Sequence, residues 1–414
     1  MKSFKYRLCP TRKQAEKLQW ALDRTRERYN AALQERRDAY EVIKQRPDFY
    51  DAPARKHALQ AQNINYYRQA NQLPDIKDIR EEYKDIHSQV LQDTLRRVDK
   101  AFKAFFRRCA CGVTPGYPRF QGRDRYDSFT YPQGGYALTH DNRVCLSKIG
   151  SIKVKLHREL QGTIKTCTIK REGTCWYVVF ACEGEAAPLP VSDEAVGIDL
   201  GLLHFATLST GETIERGFPK PSCPRYFRKG EKKREKLQQA LSKKKRGSHR
   251  RKKAVQSVAK AHRKVRNQRA DFLHKESRKL VNQYGLIVFE ELQPANMSRR
   301  AKPKQDEKTG NYLPNGGSAK SGLNKSIQDA GWGQFVGYCT YKAENAGRTV
   351  VQVNPRYISQ VCSGCGTICK KTLEERWHRC ECGTELDRDH NAAINILRLG
   401  SSQQLAMAVE APRL

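Results

Sequence analysis

The sequence predicts a multidomain chain in which an all-α unit, an all-β unit and an α/β unit each build a separate core. Three observations carry that prediction. The chain has 414 residues, enough for two to three domains. The apolar period changes along it, from a short alternation to long helical stripes, back to alternation, and then to continuous apolar runs between helices. Charge is also unevenly spread: 78 Lys and Arg against 44 Asp and Glu leave a net +34, concentrated in one stretch. A hydrophobic fraction of 38% excludes wholesale disorder. The longest unbroken apolar run, 176–182, is far short of the ~20 residues that span a bilayer, and no apolar core of signal-peptide length follows Met1. A field of this sign and size repels itself unless a polyanion is near, so nucleic acid is the expected partner and a membrane is not.

The elements follow in order. Phe4, Tyr6 and Leu8 alternate with Lys5 and Arg7 as in a half-buried strand, which Pro10 stops. Thr11 and Gln14 have the spacing of a capping box, and Leu18, Leu22, Tyr29, Leu33, Tyr40 and Ile43 then share one helical face until Pro47 and Pro53. A second long helix carries Val90, Leu91, Leu95, Val98, Phe102, Phe105 and Phe106. Residues 11–112 therefore read as a helical unit inserted after the first strand. From 113 the chain is punctuated by Pro115, Gly116, Pro118, Gly122, Gly134 and Gly135. Ile152, Val154 and Leu156 alternate with lysines, and 164–182 reads as a hairpin turning at Glu172-Gly173. This β unit, 113–190, should pair with the N-terminal strand 1–10; Pro188 and Pro190 close it.

The α/β unit covers 191–400. Strands are expected at Val196–Gly201 and 205–208, then at 286–289 and 350–353. Between them, 225–269 holds 20 Lys or Arg and two acids, with helical spacing of Leu237, Leu241, Val255, Val258, Ala261 and Val265 and a break at Gly247-Ser248. Residues 301–325 are polar and without period, the pattern of a mobile loop. A last helix runs through Ala392, Ile394, Ile396 and Leu397, and 401–414 reads as a disordered tail.

Most of the 14 cysteines are scattered, and with no secretion signal a reduced cytosol is the fitting context. One group is clustered. Cys362-x-x-Cys365 and Cys380-x-Cys382 lie 14 residues apart beside Gly364, Gly366 and Gly383, which suits one tetrahedral, structural Zn²⁺ with no open position. The second pair has one spacer, so His378 or Cys369 stands as an alternative ligand. Three acids sit where core elements end. Asp199 interrupts an apolar strand, Glu290 (or Glu291) ends the run 286–289, and Asp389 (or Asp387) precedes the last helix. Hard carboxylate oxygens gathered from three elements suit two catalytic Mg²⁺ ions that clamp a scissile phosphate.

These residues carry a family resemblance. Gly197-Ile198-Asp199-Leu200-Gly201, the segment from Glu290 to Met297, Asp329-Ala330-Gly331-Trp332-Gly333, the four cysteines, and the segment Asp387 to Ala393 together resemble the TnpB family of transposon-encoded RNA-guided nucleases, relatives of type V CRISPR effectors. Gly116-Tyr117-Pro118-Arg119-Phe120 is similar to the start of that family's β unit. The resemblance implies an RNase H-like RuvC nuclease domain (191–400) with a zinc ribbon at about 358–386, behind a wedge β-barrel (1–10 and 113–190) holding a helical recognition domain (11–112). It selects Glu290 and Asp389 within the two ambiguous pairs. It implies an endonuclease that takes a guide RNA from the transposon end, one protein per RNA, and cuts double-stranded target DNA beside a short motif, in a prokaryotic cytoplasm and on the nucleoid when DNA-bound. Lys243, Lys244, Lys245, Arg246, Arg250, Arg251, Lys252, Lys253, Arg263 and Lys264 would line the nucleic-acid channel, and 301–325 would gate the cleft. Two rivals are a nuclease-independent RNA-guided repressor, disfavoured by the complete triad, and an RNase H-like DNA transposase, disfavoured by the ribbon and the lack of a recognisable helix-turn-helix.

Overall fold

In the computed structural model, residues 1–61, 64–112, 114–185, 188–215, 226–372 and 375–410 are described, and the chain divides at Met1–Glu185 and Ala186–Leu414. In the first unit, β1 (Lys2–Cys9) buries Phe4, Tyr6 and Leu8, as its alternation requires. Helix α1 (Arg12–Lys44) begins with a reciprocal capping box: the Thr11 hydroxyl accepts from the Gln14 backbone N–H at 3.3 Å, and the Gln14 side-chain oxygen accepts from the Thr11 N–H at 3.0 Å. Short helices α2 (Ala52–Ala61), α3 (Tyr66–Asn71) and α4 (Leu73–Ile79) lead to α5 (Ser88–Ala110). The apolar faces of α1 and α5 share one core, through Leu18, Leu22, Tyr29 and Leu33 and through Val90, Leu91, Leu95 and Val98. Both stripes outlast their packing: Tyr40 is 41% and Phe106 60% exposed.

The strands of this unit are β2 (Ser128–Tyr131), β3 (Tyr136–Thr139), β4 (Arg143–Leu146), β5 (Gly150–Lys155), β6 (Thr163–Glu172) and β7 (Cys175–Glu183). Among the described residues they form, with β1, a seven-stranded sheet in the order β2-β6-β7-β1-β5-β4-β3. Every pairing is antiparallel. The first strand of the chain is thus the centre of a sheet whose other strands arrive more than a hundred residues later. The β6–β7 hairpin turns at Gly173, whose φ of 62° only glycine adopts cheaply. The edge strands β2 and β3 are consecutive in the chain, and the rings of Tyr131 and Tyr136 lie 6.5 Å apart. The sheet is curled like a barrel but left open, because no ladder joins its edges among the described residues.

The second unit opens with a meander, β8 (Ala195–Asp199), β9 (Ala206–Leu208) and β10 (Thr213–Ile214). Two long helices follow, α6 (Tyr226–Ser242) and α7 (His249–Gln283), then β11 (Leu286–Glu290) and the single turn α8 (Pro294–Met297). The break between the long helices falls at Gly247, and the Ser248 hydroxyl caps α7 by accepting from the Arg251 N–H at 3.2 Å. Beyond α8 lie β12 (Lys304–Gln305), β13 (Tyr312–Leu313), α9 (Gly317–Ala330), α10 (Trp332–Ala346), β14 (Thr349–Val353), β15 (Trp377–Arg379), β16 (Glu385–Asp387) and α11 (Arg388–Glu410).

Two expectations are corrected here. The mobile loop expected at 301–325 is a small hairpin, β12–β13, running into α9. Helix α9 leaves Leu323 exposed and buries Ile327, Asp329 and Ala330 in its last turn, so it shows only a short apolar pattern in sequence. The tail expected to be disordered from Ser401 continues α11 to Glu410, in a sequence of good helix formers such as Gln, Leu, Ala and Met; residues 411–414 lie outside the described residues.

The sheet of this unit has the order β10-β9-β8-β11-β14. Strands β8, β11 and β14 are parallel, and β9 and β10 are antiparallel to their neighbours. Both faces of the parallel part are covered, which explains the continuous apolar run Leu286–Phe289. Leu286 and Val288 join Ala392 and Ile396 of α11 in one core. Ile287 and Phe289 join Phe272 and Leu273 of α7 and Phe335 and Cys339 of α10 in the other.

Candidate active site

The parity of the strands aims the two strand acids. In β8, Val196 and Ile198 belong to the α7–α10 core, so Gly197 and Asp199 face α11. In β11, Leu286 and Val288 face α11, so Glu290 does too. The register pairs Phe289 with Ile198, and each acid is the last residue of its strand. Two carboxylates therefore stand side by side at the C-terminal ends of adjacent parallel strands, where sites in open α/β sheets are built. Asp389 lies in the first turn of α11, the helix that packs across those strands.

The choice between neighbouring acids is visible in the geometry. The Asp387 carboxylate accepts from the N–H groups of Asp389 and His390, at 2.9 and 3.3 Å, so it caps α11. The Asp389 carboxylate is 14% exposed and is held by the Arg388 guanidinium, with Nε and one Nη both 3.3 Å from Oδ1. Glu291 is exposed, and its N–H donates to Val353 at 2.8 Å, whereas Glu290 is half-buried.

Asp199 and Glu290 are perturbed by their acidic neighbours. Burial, and then the charges of Glu290 and Asp389, hold the Asp199 carboxyl well above the usual carboxylate range, with Arg388 opposing. Burial and the Asp389 charge push Glu290 up to about 7, against a hydrogen bond from Asp199. Desolvated like charges within electrostatic reach of one another are what a divalent cation relieves, and the donors are all hard oxygens. The chemistry of the set fits Mg²⁺.

Glycine sets the depth of this arrangement. A Cβ at Gly197 would collide with the Ala393 carbonyl oxygen and crowd the Leu397 N–H. The backbones of β8 and α11 are thus in direct contact two residues from Asp199.

The cysteine cluster hangs from the same helix. Strands β15 and β16 flank Cys380 and Cys382, and a bridge between Val361 and Ile368 flanks Cys362 and Cys365. All four sulfur atoms lie within 4.8 Å of one another. The pairs Cys362–Cys382 and Cys365–Cys380 are each 3.6 Å apart, close to the ~3.8 Å edge of a tetrahedron with ~2.3 Å bonds. The single spacer between Cys380 and Cys382 does not stop them converging. Cys369 and His378 form a second group with Cys380. Gly364 is needed at this point, since a Cβ there would strike the Thr384 hydroxyl and sit 3.4 Å from the Cys382 sulfur. The four thiols are compatible with a zinc site.

Sequence reasoning missed the residues that join the two clusters. Buried Asn391 accepts from the Ser363 N–H at 2.9 Å and donates to the Val361 carbonyl at 2.8 Å. Asn395 donates to the carbonyls of Ile358 and Val361, at 3.0 and 2.7 Å, and Arg398 donates to that of Ser363 at 2.7 Å. The available signal was a pair of asparagines one turn apart on an otherwise apolar helix face, flanking Ala392 and Ala393. Asp329 also has a partner the sequence hid, the Arg269 guanidinium at 2.6 Å, and Gly331 takes φ 71° where α9 hands over to α10. Trp332 is a core residue, 4% exposed.

Of the basic residues expected on the channel, Lys243, Lys244, Lys245, Arg246, Arg250, Lys252, Lys253 and Lys264 are exposed along α6–α7. Arg251 and Arg263 are half-buried. Arg251 is turned inward: its guanidinium donates to the carbonyls of Leu241 and Lys244, at 3.1 and 3.2 Å, and so caps the end of α6. Residues 216–225, the approach to this pair, lie outside the described residues.

Comparison with known proteins places the chain in a family. The chain is 34% identical over 342 residues to a protein of Escherichia coli (strain K12) named "Putative RNA-guided DNA endonuclease InsQ", covering 81% of both chains. The chain belongs to the TnpB family. It is 29% identical to a "Putative RNA-guided DNA endonuclease" of Streptomyces pristinaespiralis, over 96% of this chain and 89% of that one. A "TnpB-like protein L79" of Acanthamoeba polyphaga mimivirus is 29% identical over 49% of this chain and 37% of its own length. Three family models match parts of this TnpB chain: "Probable transposase" at 178–301, "Cas12f1-like, TNB domain" at 332–396, and "Helix-turn-helix domain" at 1–45. Over 1–45 the structure has one strand and one unbroken helix, β1 and α1, rather than two helices joined by a turn. No helix among the described residues is long and apolar enough to cross a membrane.

Proposed function

We propose that this TnpB chain is a transposon-associated RNA-guided DNA endonuclease whose RuvC-type, RNase H-like site uses Asp199, Glu290 and Asp389 as its catalytic acids. The observation that carries it is the convergence of these three carboxylates, from two parallel strand ends and one helix start, into a partly desolvated cluster where Asp199 and Glu290 resist ionisation. When bound there, two Mg²⁺ ions supply the charge that activates a water and steadies the leaving oxygen of a phosphodiester. The chain's own residues do the rest. The three carboxylates set where the ions sit, Arg388 fixes the rotamer of Asp389, and the Asp387 cap fixes the start of the helix that presents it. Cys362, Cys365, Cys380 and Cys382 hold one structural Zn²⁺ that keeps the ribbon folded against α11.

In this reading a guide RNA from the transposon end pairs with one strand of double-stranded target DNA, and the protein holds the hybrid by shape and backbone. The curled sheet and helices of the first unit serve as wedge and recognition domains, and the exposed basic face of α6–α7 lies along the nucleic acid. One protein binds one RNA in the cytoplasm of a prokaryotic host.

The test is the Asp199→Ala protein, purified with its RNA. Mg²⁺-dependent cleavage of a matched target should fall to background while RNA-guided binding of that target persists. Wild type that binds and never cuts in Mg²⁺ points to the repressor; strand transfer without RNA points to the transposase. Stripping the metal from the ribbon should release about one Zn²⁺ per chain and lower thermal stability; a metal-free preparation of unchanged stability would remove the ribbon site.

A further inference from the structure

A cleft of about 390 Å³ adjoins the acidic cluster on the α10 side, a size within the roughly 300–1,000 Å³ of small-molecule sites. Its lining includes Leu200, Glu290, Leu292, Trp332, Val336 and Tyr341. Gly333 and Gly337, one turn apart inside α10, also face it. Glycine inside a helix is destabilising relative to alanine, so it needs a reason. Neither position has a positive φ. A Cβ built on either meets nothing within 4 Å. The fold thus has neither a backbone nor a packing use for these two glycines, and what they do is widen the cleft.

A second observation is independent of the glycines. Trp332 is 4% exposed, and its indole N–H has no acceptor among the described residues. A buried donor of this kind can give a hydrogen bond from the chain to a further partner. Tyr341, a residue 43% exposed, also lines the cleft. Carboxylates line the cleft, Glu290 from β11 and Glu344 from α10. They repel a phosphate and accept from amino groups, so what enters is flat, largely apolar and uncharged.

We infer that this cleft receives an unstacked nucleobase of the cleaved DNA strand, from the nucleotide next to the scissile phosphate. This rests on the nuclease reading of the three acids, because Glu290 belongs both to that cluster and to the cleft. Seating the base beside Tyr341 places the adjoining phosphate at the acids and holds the strand against sliding, and base–aromatic stacking is tolerant of sequence. Gly333 and Gly337 then act as positioning residues.

The experiment uses the full chain with its guide RNA and targets carrying a single abasic nucleotide, moved one position at a time through the three on either side of the cut. One position should slow cleavage by wild type roughly tenfold, the scale of a lost base–aromatic stack. Gly337→Leu, which fills the cleft, should slow the intact target by a similar factor and the abasic target at that position no further. Thermal melting and guide-RNA binding of Gly337→Leu, each unchanged from wild type, serve as the folding control. A 2-aminopurine placed at the same position should change its fluorescence on loading into the Asp199→Ala complex, and Gly337→Leu should remove that change. Equal cleavage at every abasic position with a silent reporter overturns the base site, and so does Gly337→Leu slowing intact and abasic targets alike. Wild type that does not cut while the reporter responds defeats the nuclease reading and leaves the base site standing.

Discussion

The helices of the first unit and the α6–α7 pair of the second carry similar numbers of basic residues and use them differently. Residues 11–112 hold 22 Lys and Arg with 15 Asp and Glu, whereas 225–269 hold 20 with two acids. In the first unit the arginines are spent on the fold. Arg36 donates to Gln69 and Asp99 at 3.0 and 3.4 Å, and Arg80 joins Glu27 to Glu82 at 3.1 and 2.5 Å. Arg97 ties α5 to β2, donating to Asp93, the Ser128 carbonyl and the Thr130 hydroxyl at 2.9, 2.6 and 2.8 Å. In α6–α7 there are too few acids for that pattern, and Lys243, Lys244, Lys245, Arg246, Arg250, Lys252, Lys253 and Lys264 lie outward, while Arg251 and Arg269 turn to the fold. The ratio of basic to acidic residues within a helix, rather than the basic count, separates charge that folds a protein from charge that meets a ligand.

The largest expected effect probes the outward set. Replacing Lys243, Lys244, Lys245, Arg246, Arg250, Lys252 and Lys253 together by alanine should weaken RNA binding by about 10²–10³ near physiological salt and flatten the salt dependence by about five units of log–log slope, if each meets a phosphate of single-stranded RNA. Thermal stability should hold. An unchanged slope in a filter-binding titration would break the comparison. Arg97→Ala should do the opposite, lowering unfolding stability by about 2 kcal/mol through its lost charged hydrogen bonds while leaving the slope alone. The smallest effect sharpens the contrast within one turn of α7. Arg251→Ala should cost about 1 kcal/mol of stability, since its guanidinium caps α6, and change the slope less than Lys252→Ala does.

What was legible in the sequence was local. The alternation of β1, the Thr11–Gln14 box, the Glu172-Gly173 turn and the restart of α7 at Ser248 each depend on residues within one turn or one strand. The same holds for the acids at strand ends, because an apolar run that stops at a carboxylate marks a core edge. What was hidden depends on partners far along the chain. Asp329 meets Arg269 across sixty residues. Which of Asp387 and Asp389 caps α11 and which turns inward follows from the approach of that helix to β8, which no local pattern encodes. The segment 301–325 misled because α9 buries only its last turn, and 401–410 because a run with a single charge and no period looks unstructured even when its residues favour helix.

The contact at Gly197 makes the site a matter of tolerances. A hydrogen atom is the only side chain that fits between β8 and the Ala393 carbonyl, so the thickness of that layer is fixed by the smallest group chemistry offers. Carboxylates that would hold metal ions jointly leave no slack for a helix to move. Any larger residue at 197 would lift α11, carrying Asp389 away from Asp199 and pulling on the asparagine-held knuckle at Ser363. A chain so altered keeps every acid and every cysteine and still loses the spacing that makes them a unit. At that position the gauge of the machine, and not its list of parts, is what a mutation destroys.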